Sequence, residues 1–172
     1  MNKLNFLGIG PKIAVIIIPW LAASIVLSCI HIDFFKYTLQ GSNILLNAGI
    51  VVMIVGLVFY FSTARMLLKG LKETRLMTKG TYGLCQNPLY ASVIIMIIPA
   101  LSLLLNSWLV LTTSVIGYVL FKTFIKSEYA ELERYFGESY LKYKRNTPEF
   151  FPLPMNKLRK NQKKKLFNET KS

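Results

Sequence analysis

Three stretches of the chain contain no Asp, Glu, Lys or Arg: residues 13–32, 37–64 and 80–121. A bilayer core of roughly 30 Å needs about 20 apolar residues in a helix, so each stretch is long enough to hold a crossing. The first holds "IAVIIIPWLAASIVLSC" (13–29), which Pro19 is expected to kink. The second holds "ILLNAGIVVMIVGLVFYF" (44–61), where Gly49 and Gly56 fall seven apart on one helix face and permit close approach of a neighbouring helix. The third runs for 42 residues, too long for one crossing. Its polar break at Asn106–Ser107 divides it into arms over 90–105 and 108–125, joined by a tight hairpin, with Pro99 bending the first arm. Beyond Lys126 the pattern becomes a stripe: Tyr129, Leu132, Phe136, Tyr140 and Tyr143 are spaced 3, 4, 4 and 3 apart, with charged residues between them. That spacing predicts an amphipathic helix with an interfacial packing face, weakened or bent at Gly137 and ended by prolines 148, 152 and 154.

The expected architecture is therefore all-α: a polytopic membrane bundle of about four transmembrane helices followed by a cytoplasmic amphipathic helix. Residues 1–154 form a single domain, and 155–172 a basic, flexible cytoplasmic tail. An apolar fraction of 53% in 172 residues agrees with this, as does a mean hydropathy of +0.42. The net charge of +13 raises the alternative of nucleic-acid binding, but its distribution favours a membrane. Arg65, Lys69, Lys72, Arg75 and Lys79 lie in the segment 62–89, and seven further basic residues lie in the tail, while the loop between the first two stretches holds Lys36 and Asp33. Basic residues that alternate between successive loops follow the positive-inside rule. They place both termini in the cytoplasm of a multi-pass protein, at the cell membrane if the source is prokaryotic, and the tail is suited to anionic headgroups. No nucleic-acid partner is expected, and nothing in the pattern bears on oligomeric state. Cys29 and Cys85 make neither a disulfide framework nor a metal signature. The one histidine, His31, falls near the predicted outer face, away from the expected chemistry.

Chemistry is expected at the cytoplasmic face. A hairpin over 90–125 returns the chain to the side it left, so Glu128 comes to the depth of Asn87 and Tyr90. Asn-Pro alone is an ordinary turn that starts a helix. Taken in order, however, "KGTYGLCQNPLY" (79–90), "EYAELERYFGESYLKY" (128–143) and "TPEFFP" (147–152) resemble the signatures of the isoprenylcysteine carboxyl methyltransferase and phospholipid methyltransferase superfamily, over about residues 44–154. The resemblance implies an integral membrane methyltransferase that uses S-adenosylmethionine and has no Rossmann domain. It implies a cofactor site between the helical hairpin and the C-terminal helix, and a lipophilic acceptor such as a prenylcysteine carboxylate or a phospholipid amine. Carried over by position, Tyr82, Asn87, Pro88, Tyr90 and Glu128 are the cofactor-binding residues, with Asn87 and Glu128 also at the catalytic centre and no metal.

The chemistry of these side chains agrees. A carboxylate at Glu128 can bind an ammonium group or ribose hydroxyls through charge-assisted hydrogen bonds. Tyrosine faces attract a sulfonium or quaternary ammonium. Asn87 can pair with an adenine edge or an amino acid head. Three positions depart from the family pattern: Gln86 replaces an arginine, Tyr129 the second of two glutamates, and Glu149 an arginine. These departures leave open a compensated exchange, an altered substrate or lost activity. Two other readings stand beside the first. One is a membrane reductase related to the steroid and sterol reductases, which share a similar C-terminal helical region. The other is a non-catalytic membrane protein. Cofactor binding separates the three.

Overall fold

The computed structural model describes residues 8–37 and 42–150, and what it describes is helical apart from turns and one isolated bridge between Lys36 and Ser107. The basic tail, prolines 152 and 154 and Lys3 lie outside the described residues.

Helix α1 (Gly10–Ile30) starts with Pro11 in its first turn, where a missing N–H has no consequence, and carries Pro19 in its interior. A single turn, α2 (Ile32–Phe35), follows His31. Helix α3 (Ser42–Lys72) is longer than its apolar segment. The segment 62–89, read as a basic loop, is helical in its first part, and Arg65, Lys69 and Lys72 continue the same rod beyond the apolar region. After a turn over 73–80, α4 (Thr81–Leu84) and α5 (Pro88–Ala91) lead into the first hairpin arm. That arm is not a uniform α-helix: Ser92–Ile97 is wound as π-helix before α6 (Ile98–Leu104). Pro99 explains the change, because its ring displaces the preceding turn and it has no N–H to donate. The hairpin turns at Leu105–Ser107, where Asn106 takes φ +48° and Ser107 N–H bonds the Ser102 carbonyl at 2.9 Å.

The second hairpin arm corrects the expected division of the C-terminal region. Helix α7 runs unbroken over Trp108–Phe136, so the last crossing and the first half of the amphipathic stripe are one rod of 29 residues. The break comes at Gly137, with φ +52°, and α8 (Glu138–Asn146) follows. Leaving the apolar region does not end a helix; a residue suited to positive φ does.

Helices α1, α3 and α7 are long and apolar enough to cross a membrane, whereas the arm Pro88–Leu104 is apolar but shorter. Helix α1 packs on α7, α7 on the arm, and the arm on α3. The burial pattern is that of a membrane bundle. Large apolar side chains face outward (Val15 is 74% exposed, Ile18 63%, Val58 63% and Val115 63%), while Ser24, Ser102, Ser107 and Thr113 are enclosed. Between lipid-immersed helices no hydrophobic gain draws leucine inward, so small residues and hydrogen bonds make the contacts. Ser28 and Ser107 hydroxyls meet at 2.6 Å, Ser102 donates to the Ser107 carbonyl at 2.8 Å, and Tyr37 reaches Ser102 at 2.7 Å. Gly49 and Gly56 have the expected packing role. A Cβ at Gly56 would lie 3.0 Å from Met96 Cβ, and one at Gly49 3.1 Å from Leu103 Cβ.

Candidate functional site

The apolar core closest to the expected site joins Ile9, Ile13, Ile17, Cys85, Ala91, Ile94, Phe121, Ile125 and Phe150. It holds four separate segments together at one end of the bundle: the start of α1, the stretch 85–94, the middle of α7 and the residues after α8. Phe150 packs 4.6 Å from Phe121 and 5.4 Å from Tyr118, centroid to centroid. Above this core a cavity of about 1030 Å³ opens, and all five predicted site residues, Tyr82, Asn87, Pro88, Tyr90 and Glu128, line it. Small-molecule sites range over about 300–1,000 Å³, so the space is large for one ligand.

Each side chain is placed by its local fold. Pro88 is the first residue of α5, where its fixed φ suits the helix, and it is buried. Asn87 precedes it, only 6% exposed, and its side chain forms no cap bond to α5. Asn87 Nδ2 instead donates to the Tyr129 hydroxyl and, at 2.9 Å, to the Glu149 carbonyl. Tyr90 lies one turn further, its ring 5.3 Å from Phe121 and its hydroxyl 3.3 Å from Glu128 Oε2. The same carboxylate oxygen accepts the Ile9 N–H at 3.2 Å. Gly8 is wedged against this carboxylate: with φ +50°, a Cβ there would lie 2.6 Å from Oε2. Tyr82 sits on α4, and its carbonyl accepts the Tyr143 hydroxyl at 2.7 Å.

The stripe 129–143 has a larger role than interfacial packing. Tyr129, Leu132, Phe136, Tyr140 and Tyr143 all line the cavity, with Tyr140 and Tyr143 buried. Tyr140 stands 6.4 Å from Tyr129 and 6.5 Å from Tyr143. Lys144 Nζ lies 5.2 Å from the Tyr129 centroid and 5.7 Å from that of Tyr140, so a cation already rests on these faces. Burial raises the phenols of Tyr82 and Tyr140 well above the ordinary range, reinforced by the nearby Glu128 charge. Burial does the same at Tyr143 and pushes the Cys85 thiol up to about 11. These groups are protonated near neutral pH, so Tyr82, Tyr140 and Tyr143 are present as neutral phenols.

The three departures from the family pattern converge on one place. Gln86 N–H donates to the Pro148 carbonyl at 2.8 Å, and Gln86 Nε2 donates to the carbonyls of Thr147 at 2.6 Å and Lys144 at 3.2 Å. The Tyr129 hydroxyl donates to Glu149 Oε1 at 3.2 Å, and Lys122 pairs with Glu149 Oε2. Together they fasten the segment 147–150 to Gln86, Asn87 and Tyr129, which line the cavity. Gln86 Oε1 and the Tyr140 hydroxyl are both buried without a hydrogen-bond partner among the described residues, and both residues line the cavity. Orphaned buried polar atoms are costly.

Sequence reading did not foresee the contribution of Gly8 and Ile9, a backbone contact with no side-chain signature. Gln86, Tyr129 and Glu149 carried a signal, their joint departure from one pattern. His31 caps the opposite end of α1, about 30 Å along the helix from Gly10. No protein-family model, curated protein or solved structure matches the chain.

Proposed function

We infer that the protein is a membrane-embedded S-adenosylmethionine-dependent methyltransferase for a lipophilic acceptor. On this reading the short arm Pro88–Leu104 is the fourth crossing, both termini are cytoplasmic, and the cavity opens at the cytoplasmic end. The observation that carries the reading is the convergence of Glu128, Asn87, Tyr82, Tyr90 and the buried Tyr140 on one cavity, at the end of helices that face lipid. The side chains suit the cofactor: a half-buried carboxylate for an ammonium or for ribose hydroxyls, and phenol faces for a sulfonium.

S-adenosylmethionine would supply the activated methyl group. The chain's own residues need only hold cofactor and acceptor in line and exclude water, since methyl transfer draws much of its rate from positioning. Apolar Leu67, Leu71 and Met77 on the facing wall give an amphiphile's chain a surface to lie on.

The test is binding of S-adenosylmethionine and S-adenosylhomocysteine to detergent-purified protein by calorimetry, beside a nicotinamide cofactor. Micromolar binding of the sulfonium pair supports the reading. Binding of the nicotinamide instead would move the protein to the reductase class. No binding of either by a folded, monodisperse sample would leave a non-catalytic membrane protein.

A further inference from the structure

The two adjacent amides of Gln86 and Asn87 are oriented by their surroundings. A backbone carbonyl only accepts, so the atom of Asn87 that faces the Glu149 carbonyl at 2.9 Å is the nitrogen. The second hydrogen of the same nitrogen goes to the Tyr129 hydroxyl, whose own hydrogen goes to Glu149 Oε1. Lys122 holds the other oxygen of that carboxylate, and Lys144 rests on the Tyr129 ring. Gln86 repeats the arrangement, its nitrogen turned to the carbonyls of Lys144 and Thr147 and its oxygen left without a partner. Asn87 stands where an asparagine ordinarily turns its oxygen to the first N–H groups of a helix, yet it makes no such bond to α5.

We propose that Tyr129 and Glu149 are positioning residues that engage both N–H bonds of the Asn87 amide, one at the Tyr129 hydroxyl and one at the Glu149 carbonyl, so that Asn87 meets a bound ligand through Oδ1 alone. The contacted ligand group is then a donor, an ammonium or an exocyclic amine. A two-point pairing of Asn87 with an adenine edge, which needs an N–H from the protein, is excluded. With the Glu128 carboxylate on the same cavity, its polar lining offers acceptors to an N–H-bearing group. The proposal rests on the methyltransferase reading for the identity of the ligand, but not for the orientation of the amide.

Two measurements test it. The first needs no ligand: hydrogen exchange of ¹⁵N-labelled asparagine side chains in detergent-solubilised full-length protein, with the Asn87 pair assigned by its loss in Asn87→Asp. Both Asn87 hydrogens should be protected, and Tyr129→Phe should accelerate their exchange about tenfold or more by removing one acceptor. Exchange in the native protein as fast as in an unstructured asparagine would overturn the proposal. The second is the dissociation constant of S-adenosylhomocysteine in a double-mutant cycle. Tyr129→Phe should weaken binding about tenfold in the native background and less than about twofold in Asn87→Ala, because it acts through Asn87. Glu149→Gln, which keeps an acceptor for Tyr129, should stay within about twofold of native. Equal losses from Tyr129→Phe in both backgrounds would make Tyr129 merely structural and overturn the positioning role. If the native protein binds neither sulfonium cofactor nor product, the methyltransferase reading fails, while the exchange measurement still decides the orientation.

Discussion

Replacing Glu128 with glutamine removes a charge while keeping shape, and the structure separates its effect on folding from its effect on binding. Two internal bonds reach Oε2, from Ile9 N–H at 3.2 Å and from the Tyr90 hydroxyl at 3.3 Å. Both are at or beyond the long end of the ordinary range. A glutamine can keep both, with its side-chain oxygen in the place of Oε2 accepting from Ile9 N–H and from the Tyr90 hydroxyl. Losing charge assistance in two long bonds is offset by no longer desolvating a carboxylate, so the stability change should stay within about 1 kcal/mol. A ligand ammonium or ribose hydroxyl has no such offset. Losing a charge-assisted bond to it should weaken binding by about 1.5–3 kcal/mol, a roughly 10- to 150-fold rise in Kd. The assay is calorimetric titration of S-adenosylhomocysteine into detergent-purified protein, paired with thermal unfolding. Glu133→Gln, on the exposed side of the same helix and outside the cavity, is the control for net charge and should change neither. An unchanged Kd in a folded Glu128→Gln protein would remove the carboxylate from the site. A protein that failed to fold would show that Glu128 serves to anchor the start of α1.

Gly56→Val adds a branched side chain where a single Cβ already falls 3.0 Å from Met96 Cβ and 3.3 Å from Ile97 Cγ1. Overpacking of this kind should destabilise the protein by about 1–3 kcal/mol in denaturant titration, and an unchanged midpoint would mean that α3 is not seated on the π-wound arm. Cys85 is 1% exposed and its thiol is raised to about 11 by burial. In a Cys29→Ala background, maleimide should leave it unmodified at pH 8 and label it on unfolding; rapid labelling of the folded protein would contradict the packing. The same shift has a definite sign in stability. The folded thiol keeps its proton while the unfolded one, at about 9, loses it. Its contribution is therefore full below about 9 and lost as pH rises toward about 11, so Cys85→Ala should flatten the alkaline limb of a stability–pH curve.

Much of the fold was legible because its signals are local. Uncharged runs mark lipid-facing helices, Asn106–Ser107 interrupts one such run, and Gly137 offers the only ready positive φ within the stripe 129–143. That Glu128 comes to the depth of Tyr90 was legible for a topological reason: a hairpin returns the chain to the depth at which it left. Two features were not. The continuation of α7 through Lys122, Lys126 and Glu128 has no marker, because charge signals the edge of the bilayer and not the end of a helix. The contact of Gly8 and Ile9 with Glu128 is made by a backbone N–H and an absent side chain, which no residue type announces.

The departures at 86, 129 and 149 show what sequence comparison by position alone leaves out. Set against the resembled pattern, the absence of an arginine at 86 and of a glutamate at 129 would suggest a missing ion pair and a weakened site. In three dimensions the replacements satisfy one another: Gln86 gives both hydrogens to carbonyls of 144 and 147, and Tyr129 links Asn87 to Glu149. Glu149, the one charged side chain of the three, is answered by Lys122. A neutral amide and a phenol carry a far smaller desolvation penalty than a buried arginine and carboxylate, so these residues order their surroundings at low electrostatic cost. What differs is polarity. An arginine can only donate, whereas this wall has its amide nitrogens engaged with the chain and Gln86 Oε1 unpaired. On the methyltransferase reading, a neutral amide at 86 leaves the cavity without the attraction for carboxylates that an arginine there would supply.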